Sequence, residues 1–258
     1  MPHIDLKELA KLGEQLDATT SELCWESAAK SDVGKVRKVN EDAYICSQEQ
    51  NLWAVADGMG GHSRGDYASQ VVVESLLYFS KKGSLDKTII EIDSCLKNAH
   101  QVCRNTFPSE RVGSTVAALY VQSNYCFFLW AGDSRIYRLR DGLFEQLTCD
   151  HTLAQQKCAR GELSPIMAAV HPSANILTRA IGVNQVLTIE IVYEKALAGD
   201  RYLICTDGLY NDLGRKEIET SLAQGSPKEA CSHLITSAIA NGGRDNTSVI
   251  VLDANAPD

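Results

Sequence analysis

The chain has 258 residues, of which 44% are hydrophobic and 22% charged, values typical of a water-soluble globular protein with a substantial core. Its formal net charge of −8 argues against non-specific binding to nucleic acid and against docking on an anionic membrane surface. No apolar run approaches the roughly 18–20 residues of a membrane span, and the acidic N-terminus lacks the apolar segment of a secretory signal.

The chain opens with an amphipathic helical pattern at residues 5–17, in which leucines recur near helical spacing. Two interpretations are open for this segment. One is a helix packed on the domain or a partly mobile tail, and the other is a helix that docks a partner. We therefore expect a helical extension at residues 1–22, one domain at 23–254 and a short tail at 255–258.

Within the domain, strand-like and helix-like segments come in blocks. Apolar runs bounded by turn residues predict strands at 23–30, 43–48, 52–56, 115–121, 125–131, 135–140, 143–147, 186–193, 201–205 and 247–252. Apolar residues at helical spacing, and a Ser226-Pro227 start signal, predict helices at 66–80, 86–106 and 227–240. Residues 151–182 predict a short helix and then a long loop. Blocks rather than strict alternation favour an α+β fold built on antiparallel sheets.

Nine cysteines are scattered along the chain, and no two have the CxxC spacing. This odd and dispersed set argues against a secreted disulfide framework and predicts a cytoplasmic protein. Cys24, Cys46 and Cys126 fall in strand patterns, so we expect them in the core.

An aspartate beside a glycine or an asparagine borders an apolar strand four times in this chain. Asp57 follows LWAVA, Asp133 follows YCFFLWA and a glycine, Asp207 follows YLICT, and Asp245 precedes NTSVIVL. Each of these steps, taken alone, predicts a turn. If the strands share one sheet edge, however, the carboxylates converge, and they stay ionised only if cations lie among them.

The types of residue in this pattern select the metal. Carboxylate oxygens, backbone carbonyls and water suit Mg²⁺ or Mn²⁺, whereas zinc favours His or Cys ligands, and the six histidines show no HxxxH pair. The glycine after Asp57 allows a backbone carbonyl to approach a metal without an intervening side chain. The sequence therefore predicts that Asp57 bridges two metal ions.

A second polar element, GKVRKVNED at residues 34–42, precedes a predicted strand. Its adjacent acids, Glu41 and Asp42, can hold metal-bound waters, and Arg37 can clamp a phosphate through two parallel N–H···O bonds. Taken alone, the basic residues of this element predict a solvated turn.

These motifs resemble those of the metal-dependent protein serine/threonine phosphatases, the type 2C family, in its bacterial form. The matching motifs occur in the family's order and are GKVRKVNED, VADGMGGH, GSTVAALYV, WAGDSRIYRLRDG, LICTDGLYNDL and GGRDNTSVIVL. The resemblance covers roughly residues 23–254. It implies a four-layer α-β-β-α sandwich, with two central antiparallel sheets flanked by helices, and a flap near residues 155–180 beside the active site.

The resemblance also implies a centre of two Mn²⁺ or Mg²⁺ ions that hydrolyses phosphoserine and phosphothreonine through a hydroxide bridging the metals. Carried over residue by residue, Asp57 bridges both metals, the Gly58 carbonyl binds one, and Asp207 and Asp245 bind the other. Bacterial members often bind a third metal, at a site that Asp133 and Asp207 match.

Around these ligands, the resemblance assigns Arg37 to the substrate phosphate, and Glu41 and Asp42 to metal-bound waters. The general acid for the leaving alcohol is an open question. Some members of the family have a histidine directly after Asp-Gly, where this chain has Met59. The proton donor is then His62 or a metal-bound water.

Three other interpretations explain fewer residues. GHSRG at residues 61–65 matches the nucleophile elbow of α/β-hydrolases, with Ser63 as nucleophile, but DGMG separates it from the strand end. No cysteine has the arginine six residues later that cysteine phosphatases need. A pseudophosphatase that acts as a binding module is the main non-enzyme alternative, and the presence of every metal-ligand aspartate argues against it.

The expected partners also follow from the resemblance. Bacterial enzymes of this kind often reverse a companion serine/threonine kinase, so phosphorylated proteins, the kinase and its targets are the partners we expect. The enzyme itself is expected to be a cytoplasmic monomer that binds neither nucleic acid nor membranes.

Overall fold

The computed structural model describes residues 6–17, 23–60 and 64–257. The strands are β1 (Cys24–Asp32), β2 (Asp42–Ser47), β3 (Leu52–Met59), β4 (Gly113–Ser114), β5 (Val116–Gln122), β6 (Tyr125–Ala131), β7 (Arg135–Arg140), β8 (Leu143–Gln146), β9 (Glu190–Lys195), β10 (Arg201–Cys205) and β11 (Thr247–Asn255). The helices are α1 (Leu6–Asp17), α2 (Gly65–Leu77), α3 (Leu85–Thr106), α4 (Leu153–Ala159), α5 (Pro165–Ala169), α6 (Asp207–Asp212), α7 (Arg215–Leu222) and α8 (Pro227–Ala240).

The strands form two antiparallel sheets. A five-stranded sheet has the order β1-β11-β10-β7-β8, and a six-stranded sheet has the order β2-β3-β5-β6-β9, with the short β4 paired to the end of β3. A fully apolar core lies between the two sheets, with Trp53 and Phe128 from the six-stranded sheet and Tyr202 and Ile250 from the five-stranded sheet. Successive side chains of a strand point to opposite faces of its sheet, so every second residue of these strands points into the core that the two sheets share.

Helices cover both outer faces of the sheet pair. Helices α2 and α3, with α1 against α3, pack on the six-stranded sheet through a core that includes Leu76, Ile89 and Leu96. Helices α6, α7 and α8 cover the five-stranded sheet through a second core that includes Ile218 and Leu234. The expected α+β fold, a four-layer α-β-β-α sandwich, is confirmed.

Local signals in the sequence account for several boundaries. The Ser226 hydroxyl accepts a hydrogen bond from the Glu229 amide, and the Glu229 side chain returns to the Ser226 amide, which is the capping box that opens α8. Asp141 and Gly142 both have positive φ, of 50° and 77°, as a two-residue hairpin between β7 and β8 requires.

Other expectations were wrong or incomplete. The strand expected at 186–193 begins only at Glu190, and residues 151–182 contain two helices, α4 and α5. Helices α6 and α7 were not expected. Cys24 and Cys46 are exposed rather than in the core, because they point outward from β1 and β2, whereas Cys126 is buried as expected.

Helix α1 packs on the domain. Leu9 and Leu16 are buried, and a side chain at Gly13 would begin 3.0 Å from the Leu85 Cβ, so α1 and α3 approach closely at this point. This arrangement matches the packed interpretation of the N-terminal pattern. Across the described ranges, no helix combines the length and apolar character needed to cross a bilayer.

Two adjacent leucines near the end of α2 test this packing. Leu76 is fully buried in the core under the six-stranded sheet, whereas Leu77 is 56% exposed. We expect Leu76→Ala to lower the free energy of unfolding by about 2–5 kcal/mol, because it removes buried methyl groups and leaves a cavity. Leu77→Ala should cost less than about 1 kcal/mol. Urea unfolding measures both, and equal losses would contradict the packing described.

Candidate active site

The strand-end aspartates converge, but from two sheets rather than one. Asp57 lies at the end of β3 and Asp133 directly after β6, in the six-stranded sheet, whereas Asp207 follows β10 and Asp245 precedes β11, in the five-stranded sheet. All four line one cavity of about 530 Å³. The carboxylates therefore meet where the two sheets end side by side, rather than along the edge of one sheet.

Packing explains why a glycine follows both Asp57 and Asp207, and the sequence alone did not show this reason. A Cβ on Gly58 would collide with the Gly65 carbonyl at the start of α2 and lie 2.6 Å from the Glu41 carbonyl. A Cβ on Gly208 would collide with the Asn246 carbonyl. Glycine at both positions allows backbone segments to pass close beside the aspartates.

Neighbouring hydroxyls fix the backbone of Asp57. The Thr115 hydroxyl accepts a hydrogen bond from the Asp57 amide at 3.0 Å, and the Ser114 hydroxyl donates to the Asp57 carbonyl at 3.0 Å. The Thr115 amide donates to the same carbonyl at 2.9 Å. Three hydrogen bonds from the start of β5 thus set the position from which the Asp57 carboxylate enters the cavity.

Asp42 lies directly opposite Asp57 in the pairing of β2 with β3. Its carboxylate accepts hydrogen bonds from the hydroxyls of Thr206 and Ser248, each at 2.8 Å, so it is held by the other sheet. Burial raises the pKa of Asp42 to about 7 despite these two hydrogen bonds, which lower it.

Three further carboxylates, those of Asp57, Asp133 and Asp207, also have raised pKa values. Burial, and then the charge of Asp207, raises the pKa of Asp57 well above its ordinary value. The same two causes raise the pKa of Asp133 to about 8. Burial and the nearby Asp245 raise the pKa of Asp207. Each shift means that the cavity disfavours the accumulation of negative charge unless cations are present.

Arg37 reaches this cluster from the segment before β2. Its guanidinium donates to the Asp245 carboxylate at 2.7 Å, and this hydrogen bond raises the pKa of Arg37. The Arg37 side chain is 50% exposed, so part of its hydrogen-bonding capacity faces the cavity and solvent. Arg37 therefore places a positive charge in the lining of the cavity.

Asn246, which sequence reasoning did not single out, holds this segment in place. Its side-chain oxygen accepts from the Glu41 amide at 2.8 Å, and its amide donates to the Val33 and Val39 carbonyls at 2.9 and 3.0 Å. Glu41 in turn accepts from the Gly65 amide at 3.1 Å. The signal in the sequence was the asparagine directly after Asp245.

A second missed residue, His151, supports the backbone before Asp133. Its Nδ1 accepts from the Gly132 amide at 3.1 Å, and its Nε2 lies 2.8 Å from the Glu190 carboxylate. The His151 carbonyl also accepts from the Thr178 amide at 2.8 Å. Asp133 is thus connected through His151 to the segment that contains Thr178.

The donor set fits hard divalent cations. Carboxylates, the Gly58 carbonyl and open cavity space are what Mg²⁺ and Mn²⁺ prefer, and the raised pKa values show carboxylates that lack enough compensating positive charge. In the part of the chain that the structure describes, no three acidic, histidine or cysteine side chains form a ready ligand group. Asp245 instead faces Arg37 and accepts a hydrogen bond from its guanidinium.

Two residues named from the sequence lie outside the described residues. They are His62, the candidate proton donor, and Ser63, the nucleophile of the rival hydrolase interpretation. Met59, which replaces the histidine found directly after Asp-Gly in some family members, lines the cavity.

Comparison with known proteins identifies a family for this chain. A family model described as protein phosphatase 2C matches residues 35–228. The chain belongs to the protein phosphatase 2C family. It is 34% identical over 230 residues to the serine/threonine protein phosphatase PstP of Mycobacterium tuberculosis, covering 88% of this chain and 44% of PstP. It is 32% identical over 238 residues to the serine/threonine phosphatase stp of Listeria innocua, covering 88% of this chain and 94% of that protein.

Solved structures of the family agree. The catalytic domain of PstP, in complex with two manganese ions, is 32% identical to this chain with a TM-score of 0.81, and the match covers 90% of this chain and 99% of that one. Because this chain spans only 44% of the length of full PstP, the likeness to that relative extends over one part of it.

The crowding of carboxylates predicts how the metal-free protein responds to pH. Asp42 and Asp133 have pKa values of about 7 and 8, both above the ordinary value for aspartate. The folded state therefore binds more protons than the unfolded state, and its stability falls as pH rises through this range. In EDTA we expect the melting temperature to drop between pH 6.5 and 8.5, where the buried His100 and His151 are already neutral because burial lowers their pKa.

The control is Mn²⁺ at the same pH values, which should reduce the drop by neutralising the cluster. Because burial and the charge of Asp207 both raise the pKa of Asp42 and of Asp133, Asp207→Asn should also reduce the drop in EDTA and should weaken the stabilisation by Mn²⁺. Asp93→Asn, which removes an acid from the surface of α3, should change neither. A melting temperature that stays constant or rises with pH in EDTA would contradict the crowding.

Proposed function

We propose that this protein is a metal-dependent protein serine/threonine phosphatase that hydrolyses phosphoserine and phosphothreonine with two Mn²⁺ or Mg²⁺ ions. The observation that carries the proposal is the convergence of Asp57, Asp207 and Asp245 with Arg37 in one cavity. A cluster of carboxylates can hold cations, and the half-exposed guanidinium beside it can bind a phosphoryl group. Together they suit the hydrolysis of a phosphorylated substrate.

The residues divide into metal-holding and substrate-holding groups. Asp57 and the Gly58 carbonyl would hold one ion, and Asp57 with Asp207 and Asp245 would hold the other; Asp133 with Asp207 would hold a third. Two divalent cations so held make a water more acidic and neutralise charge on a phosphoryl group.

The substrate-holding part of the site consists of this chain's own charges. Arg37 would leave Asp245 and donate two parallel N–H···O bonds to the phosphoryl oxygens, which orients phosphorus toward Asp57. Glu41 and Asp42 would accept hydrogen bonds from waters around the ions. The proton for the leaving alcohol would come from His62 or from such a water.

The first experiment measures hydrolysis of p-nitrophenyl phosphate and of a phosphothreonine peptide with Mn²⁺, with Mg²⁺ and with EDTA. We expect turnover that requires either cation, survives Ser63→Ala and is lost in Asp207→Asn. Turnover that persists in EDTA and is lost in Ser63→Ala would favour a serine hydrolase. A folded protein that is inactive with every metal would favour a pseudophosphatase.

The aspartates that would share an ion can be tested together. Asp57→Asn and Asp245→Asn should each reduce kcat by at least about a hundredfold, because they remove charge that holds the catalytic cations. Circular dichroism should show both variants folded. Asp93→Asn is the control for loss of one surface acid. Substantial activity in both cavity variants would rule out the two-metal assignment.

The role of Arg37 predicts a different kinetic signature. Arg37→Ala should raise KM for a phosphothreonine peptide by about tenfold, the scale of a lost charge-assisted hydrogen bond. Lys38→Ala removes an exposed charge from the same segment and serves as the control. An unchanged KM in Arg37→Ala would mean that another group holds the phosphate.

The wider proposals rest on the family resemblance alone. We infer that phosphorylated proteins are the substrates, that a serine/threonine kinase and its targets are the partners, and that the enzyme acts as a cytoplasmic monomer. We also infer a domain at residues 23–254, with a helical extension at 1–22, a tail at 255–258 and a flap near 155–180.

A further inference from the structure

The cavity is larger than a phosphoryl group needs. At about 30 Å³ for each water-sized atom, the four atoms of a phosphoryl group fill roughly 120 Å³. The cavity measures about 530 Å³ and extends past Met59 and Gly60 to Arg111, Val183 and Asn184. Room therefore remains for part of the substrate beside its phosphorylated residue.

Arg111 and Arg37 stand on opposite sides of β3. Arg37 precedes β2, which pairs with β3 along one edge, and Arg111 lies two residues before β4, which pairs with β3 along the other. Adjacent strands lie about 4.8 Å apart, so β2 and β4 are separated by about 10 Å. An extended peptide advances about 3.3 Å per residue, so a segment of about three residues crosses from the β2 side to the β4 side of β3.

The guanidinium of Arg111 is available to a ligand. Arg111 is exposed and lines the cavity, and no hydrogen bond or ion pair joins it to any residue of the described ranges 6–17, 23–60 and 64–257. Other arginines in this region are engaged, since Arg37 binds Asp245 and Arg64 binds Glu110. Arg111 thus keeps its N–H donors for an anionic group.

We propose that Arg111 is a specificity-determining residue that binds an acidic side chain two or three residues from the phosphorylated serine or threonine of the substrate. The proposal rests on the phosphatase activity proposed above. An extended phosphopeptide lies across the end of β3, with its phosphoryl group at Arg37 and a carboxylate at Arg111. The guanidinium fork matches that carboxylate in charge and in geometry.

The test compares phosphothreonine peptides that differ only by Glu or Gln at positions two and three residues before or after the phosphothreonine. For at least one position, wild-type kcat/KM should be about fivefold to twentyfold higher with Glu, the scale of a charge-assisted hydrogen bond. Arg111→Ala should bring this Glu-to-Gln ratio below about two, and Arg111→Lys should restore part of it. Lys216→Ala, an exposed charge on α7, controls for net charge and should leave the ratio unchanged.

Three results would overturn the proposal. They are a wild-type ratio near one at every position, a ratio that survives in Arg111→Ala, and an equal loss of activity toward both peptides in that variant. The last result would place Arg111 at the phosphoryl group or in a structural role. Failure of the proposed function looks different, since the wild-type enzyme would then hydrolyse neither the peptides nor p-nitrophenyl phosphate with any metal.

Discussion

Carboxylates repel one another when burial removes the water that would screen them, and the ends of two sheets bring such groups into one cavity here. This repulsion accounts for much of the surrounding structure. Hydroxyls of Thr206 and Ser248 support Asp42, and Arg37 neutralises Asp245. The cavity concentrates unfavourable charge that cations can relieve, which is the physical basis of a site for hard metals.

The sandwich makes this crowding tolerable because its cores hold the strand ends rigidly. The inter-sheet core keeps β3 and β10 at a fixed separation, so Asp57 and Asp207 cannot move apart freely. Helix α2 begins against Gly58, and the backbone beside Asn246 passes against Gly208. Packing free energy spread over three apolar cores thus offsets a local electrostatic cost.

The sequence was informative where a pattern repeats and less so where tertiary contacts decide. Apolar runs correctly predicted β3, β6, β10 and β11, with one aspartate at or near one end of each strand, because strand period and turn residues are local properties of the sequence. Sheet membership is not local, so the strand pattern alone left open whether the four strands share one edge, and they divide between two sheets.

Individual polar residues were harder to find. Asn246 and His151 act through the backbone segments that they touch, and nothing in a short sequence window shows which segments those are. Arg111 belongs to no sequence pattern, and only its position in the lining of the cavity indicates a role for it. The start of β9 was misplaced because residues 186–189 are mostly apolar, as in a strand, but they form an irregular segment directly before β9.

The crowded carboxylates also bear on how such a protein can evolve. A substitution that removes Asp57 ends the proposed chemistry but relieves repulsion in the metal-free fold, so loss of catalysis through this residue would carry little structural penalty there. Drift under selection for folding alone would then favour inactive descendants that retain the whole sandwich as a binding scaffold. Asp245 differs, because it accepts hydrogen bonds from Arg37 and from the Asn246 amide, so the metal-free fold itself has a reason to keep that aspartate.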